Sequence, residues 1–461
     1  MNQLMNAMTT SDRRSGSHRE SSWSPIMLGR EADEVVAAVR AIRAELLNRP
    51  ERQSMAPSPN DPDMARANLR SRWEAASLHG GDTGLGLMYY YTSAIESEPS
   101  WSNAARAIER AMEIAAHTSL PLTLWSGIWG VAWAAEHLSR ESEGLSYEPN
   151  DEIDQLVLEV MQTAGPQLHY DLLRGLVGAG VYALERLPSP SARRALELIV
   201  RELERRAVKR DRGLSWFTSA STLTKFESLT TPDGFFCLGV AHGVPGVIAF
   251  LAQAWAAGVL PETSSALLRG GLDWLKGERN SLGSSCCFPG MITESGKIAS
   301  RPLGWCYGDT GLAAALLTAA KALSDEALAD LAIDIALEAA SRDHEASGIH
   351  EACLCHGSAG VAHSFNRLYQ GTGVVEFREA ARYWIRDTLS RRHAGVGIAG
   401  FVSRVEETEG ELTWRGCQGL LDGVAGIALA LCATVSPAEP RWDRLFLASS
   451  AIYPTSVERQ R

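Results

Sequence analysis

The chain has 461 residues, of which 45% are apolar, and a formal net charge of -11. That length exceeds one ordinary compact domain, so it calls for several domains or one repeat architecture. The acidic balance excludes a general nucleic-acid-binding surface, no apolar run is long enough to span a membrane, and Arg13 and Arg14 are not followed by the hydrophobic segment of a secretory signal. A cytoplasmic protein is expected. Eight cysteines in so long a chain do not make a disulfide framework, so the question becomes which of them serve as thiolates.

In chain order, residues 1–28 are rich in Ser, Arg and Met without periodicity and are expected to form a mobile tail. Residues 50–63 (PERQSMAPSPNDPD) read as a Pro-rich loop, with a candidate helix between the two. Segment 1–63 is therefore expected to stand apart from a helical body spanning 64–461. Ser189-Pro190 is a helix start, followed by an apolar stripe at Leu196, Ile199, Val200 and Leu203. The basic stretch Arg193 to Arg212 reads as the solvated outer face of that helix. Ser324 is expected to open another helix, with Leu328, Leu331, Ala332 and Ile335 on one face. Three segments, near 213–238, 283–303 and 396–416, look non-helical, and FPGMITESGKIASRPLGW within the second has a strand-turn-strand pattern.

A Gly-x-x-Gly step recurs at Gly81, Gly127, Gly175, Gly243, Gly308, Gly357 and Gly423. Each step feeds a small or aliphatic run such as GVIAFLA or GIALALC, which reads as a turn entering a buried helix. The shorter spacings hold two helices plus connections, and the longer ones hold an insert as well. The fold class that follows is all-α: an α/α toroid of seven repeats, with short β-like inserts over one end. The competing architecture is an open α-solenoid, which needs polar capping repeats; neither terminal repeat is more polar than the rest.

Aligned on the first glycine, the preceding residue is Gly80, Ser126, Arg174, His242, Tyr307, His356 or Asp422. Two positions before it stand His79, Trp125, Leu173, Ala241, Cys306, Cys355 and Leu421. Reactive types concentrate in repeats four to six, so Cys306, Cys355 and His356 can converge across one seam. Two thiolates and an imidazole suit Zn²⁺, and three protein ligands leave a catalytic position open. Buried structural cysteine is the alternative for these two, and ordinary burial or loop placement is preferred for Cys237, Cys286, Cys287, Cys417 and Cys432. Repeat register favours Cys355 over Cys353.

The chain resembles the lanthionine synthetase C-like cyclases from about residue 64 to 435. The resemblance rests on DLLRGLVGAG (171–180), AHGVPG (241–246), WCYGDTG (305–311), CHGSAG (355–360) and LLDGVAG (420–426). It implies one catalytic zinc ion on Cys306, Cys355 and His356, with His242 as acid/base and Asp171, Arg301 and Tyr307 as further active-site residues. Trp305 would line the same pocket. Arg301 departs from the family pattern, because Pro302, Leu303 and Gly304 separate it from Trp305. Structural readings stand beside each transfer: His242 bonding backbone in a tight turn, Asp171 capping a helix, Arg301 on a surface loop, and Tyr307 and Trp305 as packing. Arg174 and Asp422 read as salt-bridge partners, and His79 and His363 as structural.

The implied reaction is addition of a peptide cysteine thiol to dehydroalanine or dehydrobutyrine, giving (methyl)lanthionine rings. The expected partners are a dehydrated precursor peptide with its leader, a separate dehydratase, since no fused one is legible, and an export complex. The inserts at 213–238 and 283–303 are candidate leader surfaces. Two other functions fit the fold class: a non-cyclising peptide- or glutathione-binding scaffold, and an α/α-barrel glycoside hydrolase using Asp171 and Asp422.

Overall fold

The computed structural model describes residues 23–49, 62–96, 101–142, 150–163, 168–281, 284–299, 303–342, 344–406 and 412–448. The expected tail up to residue 22, most of the Pro-rich loop, and Arg301 lie outside the described residues.

Seven helices form an inner ring: Asp82–Thr92, Ile128–Glu141, Leu176–Glu185, Val244–Ala256, Asp309–Leu323, Ser358–Thr372 and Val424–Cys432. Each packs against the next, and the seventh packs against the first. The architecture is therefore a closed α/α toroid, which has none of the open ends a solenoid must cap. Every residue of Leu176–Glu185 and of Val424–Cys432 is buried, the second being wholly apolar and the first apolar except for Glu185, which pairs with His137 (3.1 Å).

The outer helices are amphipathic. In Pro190–Arg206 the Ser189 hydroxyl accepts from Ala192 N, and Leu196, Ile199, Val200 and Leu203 are buried. Arg193, Arg194, Arg201 and Arg205 face solvent, as expected for this basic stretch. One start signal differs. The helix after the fifth inner one is Glu326–Ala340, capped by Asp325, whose carboxylate accepts from Leu328 N. Ser324 instead ends the preceding helix in a left-handed conformation (φ 52°).

The N-terminal segment is part of the ring. Helix Gly29–Asn48 lays Val35, Ala38, Val39 and Ile42 against the seventh inner helix. Upstream, Ile26 N and Met27 N donate to Thr434 O (2.9 and 3.1 Å), and the Trp23 indole donates to Ala433 O (3.0 Å). Residues 23–28, expected in a mobile tail, are thus fixed in place. The physical reason is the flank of the seventh repeat. Among the described residues after Val424–Cys432 there is only a short 3-10 helix, Arg441–Phe446, so cover comes from the other end of the chain.

The Gly-x-x-Gly step works by close approach. No side chain caps any inner helix; a loop carbonyl does so instead, with Ser358 N donating to Glu351 O (2.9 Å) and Val424 N to Cys417 O (2.9 Å). The helix therefore starts directly against its own preceding loop. A Cβ on Gly360 would lie 1.8 Å from Leu354 O, and one on Gly357 would lie 2.3 Å from Cys353 N.

Among the described residues, every strand but Val208–Lys209 lies in an insert. Phe217–Thr218 and Phe235–Cys237 from the first join Met291–Thr293 and Gly296–Ile298 from the second in one antiparallel four-stranded sheet. The third forms a hairpin of Ser403–Glu406 and Leu412–Arg415.

Candidate active site

The loops that precede the inner helices share one end of the toroid and are stitched together by backbone hydrogen bonds. Ala241 N donates to Cys306 O (3.3 Å), Cys306 N to Cys355 O (3.4 Å), Cys355 N to Leu421 O (3.0 Å), Leu420 N to His79 O (2.8 Å), and His79 N to Trp125 O (2.9 Å). The loops of repeats four to seven, one and two thus become neighbours in space, in repeat order.

At the seam between repeats five and six, the sulfurs of Cys306 and Cys355 and a ring nitrogen of His356 lie within 4.8 Å of one another. Cys306 is buried, and Cys355 and His356 are half-buried. The hydrogen bond from Cys355 pulls the Cys306 thiol below its ordinary value against the opposing effect of burial, with His356 assisting. That same bond, together with burial, pushes Cys355 well up. Burial disfavours protonated His356, but the sulfurs of Cys353 and Cys306 and the Glu351 carboxylate outweigh it and raise the imidazole. A set of two sulfurs and one imidazole nitrogen fits Zn²⁺.

Beside this cluster stands a histidine–carboxylate pair. His242 Nδ1 lies 2.7 Å from Asp171 Oδ2, and Asp171 is 2% exposed. Asp171 also accepts from Arg174 N (2.7 Å) and Arg174 Nε (3.2 Å), so it caps the local turn as well as holding His242. Burial would raise the Asp171 carboxyl, but the hydrogen bond and charge of His242 and the charge of Arg174 together hold it at about 2. An ionised Asp171 can only accept, so the Nδ1 of His242 carries the proton and Nε2 is left as its working nitrogen. Arg174 Nη2, 3.3 Å from Nδ1, is then a charge contact rather than a second donor to the ring. The Tyr307 ring centroid is 5.9 Å from that of His242, and burial pushes its phenol well up, so it remains a donor.

The other singled-out residues divide clearly. The Trp305 indole donates to Phe446 O (2.8 Å) and its ring packs on Trp125 and Phe446, so Trp305 is a packing residue. His363 bonds buried Asp443 (2.7 Å), and Asp422 bonds His79 (2.9 Å). Asp171 and Asp422 are each held by a histidine, an arrangement unlike the free carboxylate pair of a hydrolase. The Cys287 thiol contacts Glu338 (3.3 Å), and burial pushes it up.

Two contributors were not singled out from sequence. Glu227 grips Arg174 at 3.3 Å with both oxygens and closes a capping box with Thr224. The Thr224-x-x-Glu227 spacing is a legible signal for the cap, though not for the ion pair. Glu351 lies 3.4 Å from His356 Nε2. Its only sequence signal is its place six residues before the first glycine of its step.

Residues 72–447 match the family described as "Lanthionine synthetase C-like protein", and the chain belongs to that family. It is 28% identical over 258 residues to the "Nisin biosynthesis protein NisC" of Lactococcus lactis subsp. lactis, covering 52% of this chain and 60% of that relative's length. Its fold matches the solved structure of a "Nisin cyclase" with a TM-score of 0.66 at 20% identity, covering 83% of this chain and 95% of that one.

Proposed function

We propose that this protein is a zinc-dependent lanthipeptide cyclase, adding peptide cysteine thiols to dehydroalanine or dehydrobutyrine to form (methyl)lanthionine thioethers. The observation that carries the reading is the convergence of Cys306, Cys355 and His356 beside the His242–Asp171 pair, in a member of this family. When bound by those three residues, zinc would supply Lewis acidity that lowers the pKa of a substrate thiol toward neutrality.

The chain's own residues then handle charge and proton. As the substrate sulfur bonds the β-carbon, the electron pair of the C=C bond moves onto the α-carbon and its carbonyl as an enolate. The α-carbon must gain one proton, which balances the one lost from the thiol. His242 Nε2 is the group for that transfer, and acid/base help of this kind is worth about 10²–10⁴-fold. Asp171 fixes the tautomer, and Tyr307, whose ring lies beside that of His242, keeps its phenolic proton. Arg301 stays a candidate for stabilising the enolate oxygen on the strength of the family resemblance.

The substrate is a precursor peptide already dehydrated by another activity, with leader recognition and export as further partner steps. The test is to incubate zinc-loaded protein with a dehydrated precursor and count free thiols by alkylation and mass spectrometry. Loss of one thiol per ring, without change of peptide mass, is expected. Thiols that persist with zinc confirmed bound, and with the peptide shown to bind, would favour a non-cyclising scaffold instead.

A further inference from the structure

We infer that Glu351 is a positioning residue for His356, and that through it the hairpin of the third insert belongs to the metal centre. The inference rests on the reading of Cys306, Cys355 and His356 as metal ligands.

Glu351 is 6% exposed and uses three of its oxygens. Carboxylate Oε1 lies 3.4 Å from His356 Nε2, and Oε2 accepts the backbone N–H of Arg404 (3.0 Å) in strand Ser403–Glu406. Its backbone carbonyl accepts from Ser358 N (2.9 Å), at the start of the helix that follows Cys355-His356-Gly357. One residue thus touches the ring of the ligand, the helix behind it and the insert above it. In the neutral ring that a metal requires, Nε2 turned to a carboxylate oxygen would carry the proton and Nδ1 the lone pair. A carboxylate behind a ligating histidine fixes ring orientation and raises basicity, and loss of such a partner commonly weakens metal binding about 10–100-fold.

The hairpin has a second anchor. The Ser403 hydroxyl donates to the backbone carbonyl of Asp422, whose Oδ1 is 3.9 Å from His356 Nδ1 and whose Oδ2 is held by His79 at 2.9 Å. The hairpin is therefore tied to the loops of repeats six and seven, on either side of His356. Glu351, Cys353 and His356 also lie within 4.8 Å of one another, and could themselves be taken for a metal set. Cys306 and Cys355 bring two sulfurs to the same histidine, the donor set that suits zinc better, which leaves Glu351 and Cys353 as neighbours of the ligand on this reading.

The experiment measures zinc affinity of the full chain by chelator competition for wild type, Glu351→Gln, Glu351→Ala, Cys306→Ala and Cys353→Ala. The thermal midpoint of each metal-free protein is recorded alongside. Glu351→Gln keeps the shape but cannot accept from both His356 and Arg404, so zinc should bind roughly 10–100-fold more weakly with the metal-free midpoint unchanged. Glu351→Ala, if it folds, should weaken binding at least as much. Affinity within about twofold of wild type in Glu351→Gln overturns the inference, as does a lower metal-free midpoint with unchanged affinity. Zinc lost in Cys353→Ala but kept in Cys306→Ala would place the ion in the other set and overturn it too. Failure of the underlying site reading looks different: wild type itself would bind no zinc.

Discussion

Replacing Asp171 with Asn separates the two roles given to that carboxylate. It accepts from Arg174 N, from Arg174 Nε and from His242 Nδ1. An amide keeps one acceptor oxygen and turns an NH₂ toward the other partners. If that NH₂ faces His242, Nδ1 must accept, the proton moves to Nε2, and the ring can no longer take a proton there. The activity predicted for Asp171→Asn is therefore about 10²–10⁴-fold lower, with zinc content unchanged. Stability carries an independent signature. The carboxyl is held near 2 against an ordinary 3.8, which corresponds to about 2 kcal/mol at neutral pH for this fully buried group. Because the folded value is depressed, this stabilisation is complete above pH 3.8 and fades as pH falls through about 2. Urea unfolding should show Asp171→Asn less stable than wild type by about 2 kcal/mol at pH 7, with the gap narrowing below pH 4. Activity within about threefold of wild type, with an unaltered pH profile, would refute the tautomer argument.

Three other outcomes follow from the same geometry. Cys306→Ala or His356→Ala should lose stoichiometric zinc by elemental analysis while keeping the helical circular dichroism of the toroid; retained zinc in both would remove the ligand assignment. Gly360→Ala places a methyl 1.8 Å from Leu354 O, so the loop must shift, with an expected loss of about 1–3 kcal/mol or more in denaturant midpoints. Wild-type stability in that variant would show that the helix start tolerates a Cβ. Ser189→Ala removes the side-chain cap of Pro190–Arg206 and should cost about 1 kcal/mol, with no effect on metal binding.

The Gly-x-x-Gly register was legible because both glycines meet a backbone carbonyl or amide of the loop before them, a demand that no other residue satisfies. Since each repeat starts its inner helix in the same way, that register also ordered the loop residues around the ring. This is why Cys306, Cys355, His356 and His242 could be placed at one end from sequence. Ser189-Pro190 marked its helix correctly, since the cap is a local hydrogen bond. Ser324 did not, because a left-handed residue at a helix end and a capping aspartate beside it look alike in sequence.

What the sequence by itself determined is whatever depends on local sterics and period: the seven helix starts, the buried and amphipathic helices, and the residue types at one mouth of the ring. Family resemblance adds the chemistry to those positions. Tertiary structure alone decided that Gly29–Asn48 covers the seventh repeat, that inserts one and two share a sheet, and that Glu227 and Glu351 meet Arg174 and His356. Each of these is a contact between segments far apart in the chain. Such contacts follow from which surfaces remain uncovered once the helices have packed, and no local pattern records that.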